Sequence, residues 1–174
     1  MKIVELEIAR QDWKSYRCGC GKLGSHIAKD LLALARAQYE SEVRFDVAGG
    51  HVMVPEVLSE LALPVLSVAL AALADDISVP ARHQFLDALL GILSADTQTF
   101  EAAQQGRDLV SECRAAAQSG VWLLYREVFF GASCGASTMA YEILALIEDD
   151  PDRLKRVQAS PDAQLYPDVR NAEL

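Results

Sequence analysis

The stretch PEVLSELALPVLSVALAALAD, Pro55–Asp75, decides the fold class. From Leu61 to Ala74 it is apolar nearly all round, built from Leu, Ala and Val. That run is shorter than the roughly 20 apolar residues a membrane span needs. A helix apolar on every side must instead be enclosed by other elements, so this segment is expected to be the central helix of a core. Pro55 suits the first turn of that helix. Pro64 is expected to kink or break it, because proline removes a backbone donor and crowds the preceding turn.

The flanking segments repeat the helical theme. The spacing predicts a helix from about His26 to Gln38, capped by Ser25, with Ile27, Leu31, Leu32, Leu34 and Ala35 on its apolar stripe. A second runs from Pro80 to about Ser94, with Phe85, Leu86, Leu89, Leu90 and Leu93 recurring at helical intervals. Others follow over Arg107–Gln118, Val121–Phe130 and Ala136–Glu148, and Asp150-Pro151 opens a last short one. Met1–Ile8 reads equally as a short strand or a helix start. Asp96–Gln105 reads as a polar connection with Phe100 as an anchor. Short connections force antiparallel neighbours. The expectation is therefore an all-α domain over 1–160, its helical hairpins stacked as a short α-solenoid or an irregular bundle. Residues 161–174 are expected to form a frayed tail.

Composition fits this class. Half the residues are apolar, aromatics are few, and Ala and Leu favour helices packed on helices. The net charge of -9 is unevenly spread. Residues 1–46 hold 7 acidic and 8 basic side chains; the remainder of the 25 and 16 totals, 18 and 8, lies beyond. An acidic body disfavours phosphate backbones, so no nucleic-acid partner is expected. It suits a protein with a basic surface, through steering and charge complementarity. Met1–Arg10 carries two glutamates and no long apolar core, so it does not read as a secretory signal. A cytoplasmic setting with no membrane contact and free thiols is the expectation.

Three constellations invite chemistry. Cys18-Gly19-Cys20-Gly21, with His26 six residues on, offers two thiols and an imidazole. A structural zinc site wants four ligands, usually with C-x2-4-C spacing, and no second pair lies nearby in sequence. No metal or other cofactor is therefore expected, and the glycines read as a tight entry into a helix. Gly131-Ala132-Ser133-Cys134-Gly135 matches G-x-S-x-G, but that motif works only on a strand-to-helix turn, and the preceding VWLLYREVFF has helical spacing. Cys113 sits on an apolar stripe, as a buried inert thiol would. No histidine pairs with another ligand at i, i+4. No catalytic residue is assigned, and the chain does not read as an enzyme. Trp122 and Tyr125 share a helical face and read first as core aromatics, second as partner anchors.

The acidic groups are the candidate partner-binding residues. Glu56 and Glu60 share a helical face; Asp75 and Asp76 lie in one inter-helix loop; Glu148, Asp149 and Asp150 lie in another. In a stack of hairpins, loops on one side align into a rim.

Three stretches, CGKLGSHI at Cys20–Ile27, VPEVLSELALPVLSVAL at Val54–Leu70 and ECRAAAQSGVWLLY at Glu112–Tyr125, together with the small-residue helix Ala136–Ile147, resemble the short HEAT-like proteins found beside polymorphic toxins in bacterial genomes. The resemblance covers roughly residues 20 to 150. It implies a HEAT-like α-solenoid that binds another protein, and specifically an immunity protein that neutralises a cognate toxin of a contact-dependent inhibition system by occluding its active or substrate-binding surface. A nuclease, basic where it holds its substrate, would be a fitting toxin. The alternative is a non-catalytic HEAT-like adaptor for another intracellular protein. The chain departs from typical HEAT repeats in lacking a recurring Asp/Arg pattern between hairpins.

Overall fold

The computed structural model describes residues 2–43, 46, 49–53 and 57–172. The chain is all-α. In order come α1 (Ile3–Arg10), α2 (Ser25–Arg36), a 3-10 turn (Glu40–Glu42), β1 (Val57–Leu58), α3 (Ala62–Ala74), α4 (Val79–Ser94), β2 (Thr97–Gln98), α5 (Phe100–Gln104), α6 (Leu109–Ala117), a second 3-10 turn (Gln118–Gly120), α7 (Val121–Phe130), α8 (Cys134–Ile147), α9 (Pro151–Ala159) and α10 (Pro167–Arg170). No described helix is long and apolar enough to cross a membrane.

The central helix is where the sequence puts it, but it starts later. α3 begins at Ala62, and Val57–Leu58 instead pairs in parallel with Thr97–Gln98 as a two-residue ladder. Pro64 therefore neither kinks nor breaks the helix. It is the third helical residue, in the first turn, where the missing N–H would have found no intrahelical acceptor. Pro55 falls outside the described residues. α3 packs against α1, α4, α6 and α7, and Val65, Leu66, Val68, Ala69 and Ala72 are fully buried. The all-round apolar pattern thus follows from neighbours on several sides.

α4 is capped by Ser78, whose Oγ accepts from Ala81 N, and carries Pro80 in its first turn. Its Phe85, Leu86, Ala88 and Leu89 are fully buried between α3 and α8. The α3–α4 and α7–α8 hairpins stack so that the first turns of α4 and α8 meet. A Cβ at Gly135 would lie 3.1 Å from Nε2 of the exposed His83, so a larger residue would make that ring shift.

One open reading is decided and three further expectations are corrected. Residues 3–10 form a helix, because Val4 and Ile8, four apart, bury one stripe in the core. Asp96–Gln105 holds β2 and α5, and Phe100 is 72% exposed rather than a buried anchor. Trp122 is 70% exposed and only its neighbour Tyr125 is buried. Over the described part of the tail, 161–172, the chain does not fray. Ala163 and Leu165 are buried, Gln164 N donates to Val128 O, Tyr166 N donates to Thr138 Oγ1, and Gln158 Nε2 donates to Val169 O and Ala172 O.

Candidate functional site

The residues with the most chemical potential converge in front of α2. The connection from Asp12 to Gly24 is held by Trp13, which is buried and whose Nε1 donates to Ile8 O at 2.7 Å. Within it Cys18 N donates to Lys22 O and Gly21 N donates to Cys18 O, both at 2.8 Å, and Gly21 turns the chain with φ of +83°. This tight turn puts both sulfurs on one side. Gly24 then leads into α2; a Cβ there would meet Trp13 O at 2.8 Å, so only glycine lets the helix start so close to the connection. His26, in the first turn of α2, faces back toward the sulfurs. The fourth member is His51. Gly19 N donates to His51 O at 2.8 Å, and Ser59 N donates to Val52 O at 2.9 Å, tethering this segment on both sides.

The four donor atoms lie within 4.8 Å of one another. Cys18 Sγ is 3.1 Å from His51 Nδ1 and 3.3 Å from Cys20 Sγ. His26 Nε2 is 3.6 Å from Cys20 Sγ and 3.4 Å from His51 Nδ1. His26 Nδ1 sits 2.8 Å from Leu23 O, which can only accept, so Nδ1 carries the proton and Nε2 turns its lone pair to the cluster. Burial, before other causes, pushes the Cys18 thiol up to about 11. The Lys22 backbone N–H lowers the Cys20 thiol. Burial and then the neighbouring His26 lower His51, favouring its neutral, ligating form. Two thiols and two imidazoles in this arrangement can hold a tetrahedral metal ion.

Sequence reasoning counted three of these ligands and set a metal aside for want of a fourth. That count is corrected by His51, which lies 33 residues from Cys18 and carries no local spacing signal. A pairing of Cys18-x-Cys20 with a remote histidine was the only trace available.

The acidic candidates scatter. Glu56 is outside the described residues, and Glu60 is half-buried. Asp75 is engaged: its carboxylate accepts from Val4 N at 2.8 Å and so caps α1. Asp76 is exposed and its carbonyl accepts from Lys2 Nζ. Glu148 is tied down by Tyr125 OH at 2.5 Å and Arg153 Nη1 at 3.0 Å, and Asp150 accepts from Asp152 N and Arg153 N to cap α9. Its neighbour Asp149 stays exposed. The two loops lie at opposite ends of α8. Arg82 joins Asp75 O to Glu127, Glu127 O accepts from Ser137 in the first turn of α8, and Glu148 follows the last turn. The 14-residue α8 spans about 21 Å, so the loops do not align into one rim.

A second surface surrounds one of those loops. Trp122 and Phe130 stand exposed on α7, at 70% and 80%, with Phe129 half-buried beside them. They line a shallow apolar hollow with Tyr125, Arg153 and Val157. The Arg153 guanidinium lies 5.7 Å from the Trp122 ring centre and pairs with Glu148, linking the aromatic face to the Glu148–Asp150 loop. Asp149, in that loop, and Asp152, in the first turn of α9, are exposed.

Ser133 does not sit on a strand-to-helix turn. α7 precedes it, its backbone is extended, and its Oγ accepts from Ala136 N to cap α8. Cys113 is fully buried in α6, and burial pushes its thiol up to about 12, as suits an inert core sulfur. No family model, no curated protein and no solved structure matches the chain.

Proposed function

We propose that this protein acts by binding another protein, as an immunity protein that covers a toxin's functional surface without chemistry of its own. The observation that carries this reading is the exposed aromatic face of α7. Trp122 and Phe130 leave far more of their rings in water than core packing would tolerate, and large aromatics of this kind anchor protein interfaces. Asp149 and Asp152 stand exposed in the loop and helix start that carry Arg153, so negative charge lies beside an apolar hollow whose own charged lining is Arg126 and Arg153. That layout fits a partner combining an apolar pocket with a basic surround, as a nuclease toxin has where it holds its substrate. The resemblance to HEAT-like immunity proteins points to the same class of partner. Of the acidic candidates, Asp149 and Asp150 belong to this face, while Asp75 and Asp76 lie at the far end of α8.

The test is co-expression with the toxin encoded alongside, followed by measured binding. The wild-type chain should relieve toxicity. Trp122→Ala with Phe130→Ala should weaken binding by well over tenfold, as loss of interface anchors does. Asp149→Lys with Asp150→Lys should slow association and flatten its dependence on salt. Unrelieved toxicity refutes the immunity reading; full affinity in the aromatic double variant refutes the assignment to α7.

A further inference from the structure

We propose that Cys18, Cys20, His26 and His51 hold one zinc ion as a closed structural centre, stapling the connection before α2 to residues 49–53. The argument starts from edge lengths. With Zn–S near 2.3 Å and Zn–N near 2.0–2.1 Å, a tetrahedral S2N2 site has donor-to-donor edges of about 3.3 to 3.8 Å. Four of the six edges run from 3.1 to 3.6 Å, each within a few tenths of an ångström of that range, and the other two, Cys18–His26 and Cys20–His51, lie within 4.8 Å, a distance the side chains can close around an ion. Four groups of this kind do not crowd together for their own sake. Cys18 is buried, His26 and His51 are half-buried and Cys20 is exposed, so the cluster sits at the surface with a path for an ion to enter.

The surroundings fit a metal. Leu23 O orients the His26 ring from behind, the outer contact that metal-ligating histidines characteristically make. Binding deprotonates both thiols and releases two protons to solvent, while both imidazoles bind neutral; nothing is oxidised or reduced. Two thiolates offset the dication, and the uncharged whole suits the buried Cys18. A tetrahedral S2N2 donor set selects zinc among common divalent ions, and a set of four protein ligands leaves no position for a substrate. The centre is therefore structural. It joins segments up to 33 residues apart that the Gly19–His51 backbone hydrogen bond, the buried Val52 and Trp13 also hold.

The test uses the full chain, purified under reducing conditions without chelator. Its metal content should be one zinc per chain. The stripped, reduced chain titrated with Co2+ should develop the intense visible bands of tetrahedral cobalt and thiolate-to-cobalt charge transfer, saturating at one equivalent. Cys18→Ser and His51→Ala should each weaken binding by more than the roughly 10–100-fold that loss of an outer partner costs. His83→Ala and Cys134→Ser, outside the cluster, should keep full zinc. Chelation should lower the unfolding midpoint of the wild type and leave that of Cys18→Ser unchanged. A wild-type chain that retains no zinc and gives no tetrahedral cobalt spectrum overturns the proposal, whatever the variants do. Undiminished zinc in both ligand variants overturns the ligand assignment equally.

Discussion

Arg82 reaches three elements from one position. Its Nη1 donates to Leu73 O at the end of α3 and to Glu127 Oε2 on α7; its Nη2 donates to Asp75 O in the loop between α3 and α4. Both charged side chains are largely withdrawn from water, at 12% and 4% exposure. The other oxygen, Glu127 Oε1, is buried and accepts no hydrogen bond, so the charge is only half satisfied. Removing one partner strands the other in a low-dielectric setting, and Arg82→Met should cost about 3–5 kcal/mol. Replacing both, Arg82→Met with Glu127→Leu, should recover most of that loss. Urea unfolding of the single and double variants measures it, and a double variant as unstable as the single one would contradict this account. Neither partner was legible as a core residue, since a charge in an apolar helix reads as its solvated edge until the facing helix is known. His51 escaped for a related reason: ligands are chosen by distance in space, and sequence spacing reports that only within one element.

The short first helix shows how an element with little of its own is held. α1 has eight residues, too few to persist alone in water. It is kept by Val4 and Ile8 packed toward α3, by the Asp75 cap and by Glu7. Glu7 pairs with Arg10 and accepts from Ser67 Oγ on α3 at 2.6 Å. Its carboxyl is held at about 2, below its ordinary 4.5, by Arg10 first and then Ser67 and Gln11. A folded-state value below the unfolded one means stability that is full above about 4.5 and lost as pH falls toward 2. The difference in unfolding free energy between wild type and Glu7→Gln should therefore shrink steadily over that interval. A constant difference would show that Glu7 makes no such contribution. At this level the helices α2, α4, α7, α8 and α9 were readable to within a few residues, because stripes, caps and prolines are local signals. β1 was not, since two residues of strand exist only through their partner 40 positions on.

Taken together, the hairpins are sealed at one flank by the C-terminal segment. Leu165 and Ala163 are buried and α10 is fastened by Gln158 and Arg170. A chain ending at Ser160 should lose about 2–3 kcal/mol, the burial of Leu165 with part of the hydrogen bonding. Equilibrium unfolding in urea measures this; an unchanged midpoint would mean the segment docks without stabilising. Helical class, the enclosed α3 and the bounds of most helices were set by residue order alone, because a 3.6-residue periodicity and high Ala and Leu content act within a few turns. The Cys18–Cys20–His26–His51 cluster, the exposure of Trp122, the separation of the two acidic loops and the docked tail came from the packing. Each depends on which remote segments share a neighbourhood, and that follows from how apolar stripes fit against one another across the molecule.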